Sequence, residues 1–211
     1  MSERKGNDCV TAGNSNLTAA EDKDLPDEAL MARIAGGETR AFAILVGRHR
    51  RRVLNMIYRS LGDRTQAEDV AQEVFLRVWR AAGGYSPKAK FTTWVYRIAV
   101  NLCLDAIKSA RHRQSFIQPA GLPESATEGE SSVGDNAPSP EELLIDAEKA
   151  SRIFVALQEL PANQRLAVVL KRFDGLAYEE ISRILGCSVP AVESLLVRAK
   201  KTLREKLLSS G

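Results

Sequence analysis

The clearest sign of chemistry in this sequence is a row of basic side chains near its carboxyl end. Within nine positions the chain carries Arg198, Lys200, Lys201, Arg204 and Lys206. Lysines and arginines grouped on one helix can neutralise successive phosphates of a nucleic acid. The net charge of the whole chain is only +3, so a nucleic-acid surface requires this kind of local segregation of charge. The row therefore predicts a local nucleic-acid-binding surface.

The segment that leads into this row has the spacing of a helix-turn-helix. From Ala177 to Leu207 it reads AYEEISRILGCSVPAVESLLVRAKKTLREKL. The motif needs a small residue where its helices cross, a turn residue that tolerates the left-handed region, and an apolar plug from the second helix. Ser182, Gly186 and Val192 hold those positions. A helical hairpin with a solvated basic face is the plainer alternative, but the basic row favours DNA binding.

A second chemical surface is a compact polar patch in an earlier predicted helix. Asp69, Gln72 and Glu73 lie at positions i, i+3 and i+4, on a different face from the apolar stripe of that helix. Taken alone, three such residues are typical of a solvated helix face.

Helices must position both surfaces, because the two halves of the sequence show helical periodicity and no strand-like alternation. Residues 1–24 are polar and predict a disordered leader. Residues 25–113 and 141–211 form two helical blocks. Between them, residues 114–140 hold four prolines, three glycines and several acidic residues, which indicates a flexible acidic linker. The sequence thus predicts an all-α protein of two small helical domains.

Other classes of function find little support in the sequence. Cys9, Cys103 and Cys187 lie far apart and the two histidines share no ligand spacing, so we expect no metal and no cofactor. No nucleophile motif or glycine-rich phosphate loop indicates catalytic residues, so we expect no enzyme. No apolar run has the length of a signal peptide or a membrane span, so we expect a cytoplasmic protein.

Three segments, taken in order, resemble the extracytoplasmic-function (ECF) sigma factors of bacterial RNA polymerase. They are DRTQAEDVAQEVFLRVWR, FTTWVYRIAVNLCLDAIKSARHR and the terminal helix-turn-helix. The resemblance implies a region 2 helical bundle over 25–113 and a region 4 helix-turn-helix over 141–211. It also implies binding to core RNA polymerase, at the clamp helices of the largest subunit and at the flap, and control by an anti-sigma factor. A stress-response or envelope-response regulon is a further expectation.

The resemblance also assigns residues to three contacts. Asp69, Gln72 and Glu73 match the patch that docks on core polymerase. Region 2 of the family melts the minus-ten element and captures a flipped base, for which the candidates are Tyr85, Tyr96 and Asn101. The full minus-ten set is Tyr85, Lys88, Lys90, Trp94, Tyr96, Asn101, Lys108, Arg111 and Arg113. The minus-thirty-five set is Pro190, Ala191, Glu193, Ser194, Val197, Arg198 and Lys201.

Four residues depart from the family pattern in the second block. Ala177 and Ala191 stand where Ser or Thr is common, and Glu193 and Leu195 stand where Lys or Arg is common. A glutamate can accept from a cytosine amino group but repels a phosphate, so the departures leave the DNA preference open. The alternative function is a stand-alone helix-turn-helix regulator that binds operator DNA without polymerase.

Overall fold

The computed structural model describes residues 24–86, 90–114 and 140–209, without the side chains of residues 111–114, 140–147, 149 and 209. Every regular element in these ranges is helical, which confirms the predicted all-α class. The predicted leader, apart from Asp24, and residues 115–139 of the predicted linker lie outside the described residues. No helix in the described ranges is long and apolar enough to cross a membrane.

The described residues of the first block form four α-helices. They are α1 (Asp27–Ala35), α2 (Thr39–Leu61), α3 (Arg64–Ala81) and α4 (Phe91–Gln114), with a short 3-10 turn at Ala82–Gly84. A two-residue turn separates α2 from α3: Gly62 adopts φ +84 after the last turn of α2, and the Asp63 carboxylate caps α3 by accepting from the Gln66 N–H at 2.7 Å. The apolar stripe of α3 faces the core, where Val74 and Val78 are fully buried.

The second block contains α5 (Pro140–Gln158), α6 (Ala162–Val168), a π-helical turn (Val169–Phe173), α7 (Tyr178–Leu185) and α8 (Val189–Ser209). Leu166, Leu170 and Ile181 are completely buried, and they belong to the same apolar cluster as the core of the first block. The two predicted domains therefore pack against each other, an arrangement that the periodicity of the sequence does not predict.

Polar contacts join the blocks at the turn between α2 and α3. Arg165, only 7% exposed, donates to the carbonyl of Ser60 at 2.7 Å and to the carbonyl of Leu160 at 3.1 Å. Gln158 donates from its side-chain amide to the carbonyl of Arg59 at 2.9 Å. Beside them the ring of Tyr58 stacks on Phe154 with 5.1 Å between centroids. Because buried carbonyls must find donors, Arg165 ties α6 to the end of α2.

Candidate nucleic-acid interface

The helix α8 presents one face to solvent. Its exposed residues recur at steps of three or four and so lie on one side of the helix; they include Pro190, Glu193, Ser194, Val197, Arg198 and Lys201, with Ala191 partly exposed beside them. Val197 is 69% exposed, which is unusual for an apolar side chain on a helix packed into a domain. A face that mixes cations with a bare apolar group suits phosphate contacts together with contact to a thymine methyl group.

The local geometry of the helix-turn-helix is as its sequence predicts. Gly186 adopts the left-handed conformation with φ +65, which a side chain would disfavour. The hydroxyl of Ser182 donates to the carbonyl of Cys187 at 2.7 Å and closes the turn. Val192 is completely buried, so α8 is held against α7 by its inward side while its outer face stays free.

The start of α7 shows the effect of one departure from the family pattern. The Glu180 carboxylate accepts from the backbone N–H of Ala177 at 3.0 Å, and this bond lowers the pKa of Glu180. In a full capping box, the side-chain oxygen of a Ser or Thr at the first position also accepts from the backbone N–H of the third helical residue. Ala177 has no oxygen to offer, so half of the box is present.

The polar patch on α3 lies on the opposite side of that helix from the core. Asp69 and Gln72 are exposed, and Glu73 accepts from Arg77 at 2.8 Å. Leu76, 47% exposed, lies next to the patch. A groove beside it is lined by apolar side chains together with Arg50, Glu68 and Gln72; the apolar ones are Phe42, Val46, Leu54, Ala71, Phe75 and Leu76. The surface is thus an acidic and amide patch bordered by apolar groups, a composition that suits protein–protein contact.

Known proteins match both blocks. Residues 45–113 match the family model of Sigma-70 region 2, and residues 151–203 match that of Sigma-70, region 4. The RNA polymerase sigma-H factor of Pseudomonas aeruginosa is 33% identical over 185 residues, which cover 86% of this chain and 93% of that protein. The ECF RNA polymerase sigma-E factor of Escherichia coli is 32% identical over 191 residues, with 88% and 96% covered. The chain belongs to the ECF sigma factors.

Solved structures agree in fold. CnrH, in its complex with the cytosolic domain of CnrY, superimposes with a TM-score of 0.62 at 27% identity, covering 88% of this chain and 99% of that one. The sigma factor RpoE of Bartonella quintana, in its complex with the anti-sigma factor NepR, gives 0.56 at 20% identity and supports the fold alone. As an ECF sigma factor, the protein is a DNA-binding transcription initiation subunit of RNA polymerase, a family of non-catalytic subunits.

Region 2 of this sigma factor does not present all its predicted minus-ten residues to solvent. Tyr96 is 5% exposed, and its hydroxyl donates to the Asp174 carboxylate of region 4 at 2.8 Å. Burial, followed by the negative charge of Asp174, raises the pKa of Tyr96 above its ordinary value. Lys90 is exposed and pairs with Glu180 at 3.5 Å. In the packed arrangement, therefore, two of the residues predicted to contact the minus-ten element contact region 4.

The aromatic candidates form a cluster. The ring of Tyr85 lies 5.0 Å from that of Trp94, and Phe91 contacts both rings as well as His49, whose ring centroid is 5.0 Å away. Tyr85 and Trp94 are half-buried, and the buried Tyr85 hydroxyl has no hydrogen-bond partner within the described ranges. The cluster thus supports the start of α4 while leaving part of two rings accessible.

The remaining minus-ten candidates follow the outer face of α4. Asn101 and Lys108 are exposed there. Arg111 and Arg113 lie on the last turn of the same helix, but their side chains are outside the described set, as is the whole of Lys88.

Sequence reasoning missed the residues that hold region 4 on region 2, namely Arg165, Gln158 and Asp174. Each makes its contact with a residue at least 78 positions away. No helical period or local motif carries a signal for such a contact; only the unusual burial of an arginine distinguishes the site, and burial is a property of the fold.

Proposed function

We propose that this ECF sigma factor directs core RNA polymerase to its promoters through three separate surfaces. The patch Asp69, Gln72 and Glu73 docks on the clamp helices of the largest polymerase subunit. The face of α4, with the aromatic cluster at its start, melts and reads the minus-ten element. The outer face of α8 reads the minus-thirty-five element. The observation that carries the proposal is the exposed α8 face, which offers Arg198 and Lys201 around the bare side chain of Val197.

The chemistry of each surface supports the partner that we assign to it. The α3 patch is acidic, so it repels DNA and fits a protein partner with basic or amide groups. Arg198 and Lys201 on α8 can bind phosphates, while Val197 and Glu193 can approach base edges in the major groove. The minus-ten set combines the aromatic rings of Tyr85, Trp94 and Tyr96 with the Asn101 amide and nearby lysines, the groups that hold single-stranded bases. For the residues of each set, these roles are predictions.

The domain limits, 25–113 for region 2 and 141–211 for region 4, also stand as predictions, with residues 114–140 as a tether that raises the effective concentration of each module on polymerase.

We place the protein in the cytoplasm, where core polymerase and the chromosome are, and we assign it no catalytic residues of its own. We expect region 4 to contact the polymerase flap, and an anti-sigma factor to hold the protein inactive. The related CnrH is bound by another protein, the cytosolic domain of CnrY, which is consistent with a protein partner for this chain.

The decisive experiment is transcription by purified core polymerase, with and without this protein, on a library of genomic fragments. The proposal predicts initiation at specific sites that depends on the protein. Replacing Asp69, Gln72 and Glu73 together by alanine should weaken both core binding and initiation, whereas Arg80→Ala, an exposed change on the same helix, should leave both near the unmodified level. Absence of initiation and of core binding, together with direct operator binding, would replace the proposal with the stand-alone regulator.

The α8 surface is tested on the fragments that this library selects. Arg198→Ala should reduce initiation on fragments that keep the minus-thirty-five element and have little effect once that element is scrambled. Arg172→Ala removes an exposed arginine of the same block that lies outside the basic row of α8, and it is the matched control. An equal loss on intact and scrambled fragments would show that Arg198 supports folding or general charge rather than recognition of that element.

A further inference from the structure

Acidic side chains of region 4 lie on the DNA-contacting groups of region 2. Asp174 follows the π-helical turn and accepts from the Tyr96 hydroxyl at 2.8 Å, while Glu180 at the start of α7 lies 3.5 Å from the Lys90 ammonium. Both partners belong to the predicted minus-ten set. Region 4 therefore meets region 2 with negative charge at the places where the proposed function puts DNA.

Two arginines of α2 lie near enough to Asp174 for their charges to act on its carboxylate. Arg52 and Arg59 are seven positions apart, about two helical turns, so they lie on the same side of α2. The guanidinium of Arg59 lies 4.5 Å from the ring centroid of Phe173, the residue before Asp174. The charge of each arginine opposes the rise that burial causes in the pKa of Asp174. Region 2 thus offers a hydroxyl donor and two cations to one anion.

Only one of the two carboxylate oxygens of Asp174 is hydrogen-bonded within the described part of the chain. Its second carboxylate oxygen, Oδ2, is buried without a hydrogen-bond partner among the described residues. A buried carboxylate is costly unless its oxygens are hydrogen-bonded. A DNA phosphodiester shares one negative charge between two non-bridging oxygens, so it too is bound by hydroxyl donors and cations.

We propose that Tyr96, Arg52 and Arg59 form a phosphate-binding site for the backbone of promoter DNA, and that Asp174 occupies this site as an internal substitute in the packed arrangement. The inference rests on the proposed function, because it assigns a ligand to the minus-ten surface. It adds Arg52 and Arg59, which no sequence pattern placed there. It also makes the packing of region 4 on region 2 and the binding of DNA at this site mutually exclusive.

The first test measures binding of holoenzyme to a promoter fragment that the unmodified protein selects, at several salt concentrations. Arg52→Ala should weaken binding severalfold on every promoter tested and reduce the slope of log K against log salt by about one. Arg51→Ala removes an exposed arginine about 100° further round α2 and should change neither quantity. Equal behaviour of the two variants would overturn the phosphate site. Failure of unmodified holoenzyme to bind any promoter would instead remove the proposed function itself.

The second test uses the free full-length chain and a fluorescent single-stranded DNA oligonucleotide. Asp174→Asn removes the competing charge while keeping the side-chain volume, so affinity should rise severalfold. Glu179→Gln, an exposed neutral substitution in the same block, should not change it. Glu180→Gln provides a second variant, which releases Lys90 and keeps an oxygen to accept from Ala177. Unchanged affinity in both the Asp174 and Glu180 variants, with helical content intact by circular dichroism, would overturn the competition.

Discussion

The two surfaces that we propose to contact DNA differ in accessibility. The outer face of α8 in region 4 is open to solvent from Pro190 to Lys201, whereas Tyr96 on α4 of region 2 is buried beneath region 4. The open surface is defined within one short motif, by a left-handed glycine and a buried plug residue. The covered surface is defined by contacts between residues far apart in the chain, such as Tyr96 and Asp174.

This difference indicates which step of promoter recognition the packing can control. Region 4 can approach duplex DNA without rearrangement, but α4 can contact an unpaired strand at Tyr96 only after region 4 moves away. A ligand or partner shifts such an equilibrium only if it binds one arrangement better than the other. Core polymerase and melted DNA favour the separated arrangement in our proposal, and an anti-sigma factor that binds the packed one would oppose them.

The largest loss of stability is expected from a substitution of Arg165, which holds region 4 against region 2. Arg165→Met keeps the apolar stem but removes the donors to the carbonyls of Ser60, Gln158 and Leu160. At roughly 1 kcal/mol for each lost buried hydrogen bond, the free energy of unfolding should fall by about 3 kcal/mol. Urea denaturation followed by circular dichroism measures this. Arg172→Met, at an exposed arginine of the same segment, should cost much less, and equal losses would mean that Arg165 is not what ties the blocks together.

A smaller loss of stability is expected at the turn after α2, where Gly62 packs against Gln158 of region 4. Gly62→Ala forces a side chain into φ +84 and places its Cβ 2.8 Å from Oε1 of Gln158. Gly37→Ala is a close control, since Gly37 has φ +88 but its added Cβ meets nothing within 4 Å. Left-handed strain alone costs about 1–2 kcal/mol, so Gly37→Ala should lose about that amount and Gly62→Ala more. Identical losses in thermal unfolding would show that Gln158 moves aside freely and that the packing there is loose.

The parts of the molecule that sequence reasoning predicted are those with local causes. Gly186, Ser182 and Val192 define the helix-turn-helix because turn geometry and plug burial depend on a few neighbouring residues. The α3 patch follows from helical spacing in the same way. The covering of Tyr96 depends on Asp174, which follows the π-helical turn, and on contacts between the blocks such as that of Arg165 with Ser60. Tertiary packing of this kind leaves no periodic trace in the sequence, so the sequence predicted the surfaces but not their accessibility.

A change of about 1 kcal/mol is expected on the open surface. Glu193 is exposed on the outer face of α8 and repels DNA phosphates, so Glu193→Gln should tighten binding to duplex promoter DNA by up to about 1 kcal/mol at low salt. The gain should shrink as salt rises, which fluorescence anisotropy with a labelled duplex can follow. Glu179→Gln on α7 is the control. Loss of affinity confined to promoters with cytosine at one position would show instead that Glu193 accepts from a cytosine amino group.

The smallest expected effect is a difference in thiol reactivity between one cysteine of region 2 and one of region 4. Cys103 is completely buried in region 2, and burial raises its pKa to about 12, whereas Cys187 is partly exposed in the turn before α8. A group with a raised pKa keeps its proton in the folded state, so the Cys103 thiol remains protonated and unreactive at pH 8. In a Cys9→Ser background, iodoacetamide should modify Cys187 first and Cys103 only on unfolding, as mass spectrometry of peptides can show. If both cysteines of the folded protein were modified at the same rate, Cys103 would be as accessible as Cys187, and the core of region 2 would open readily.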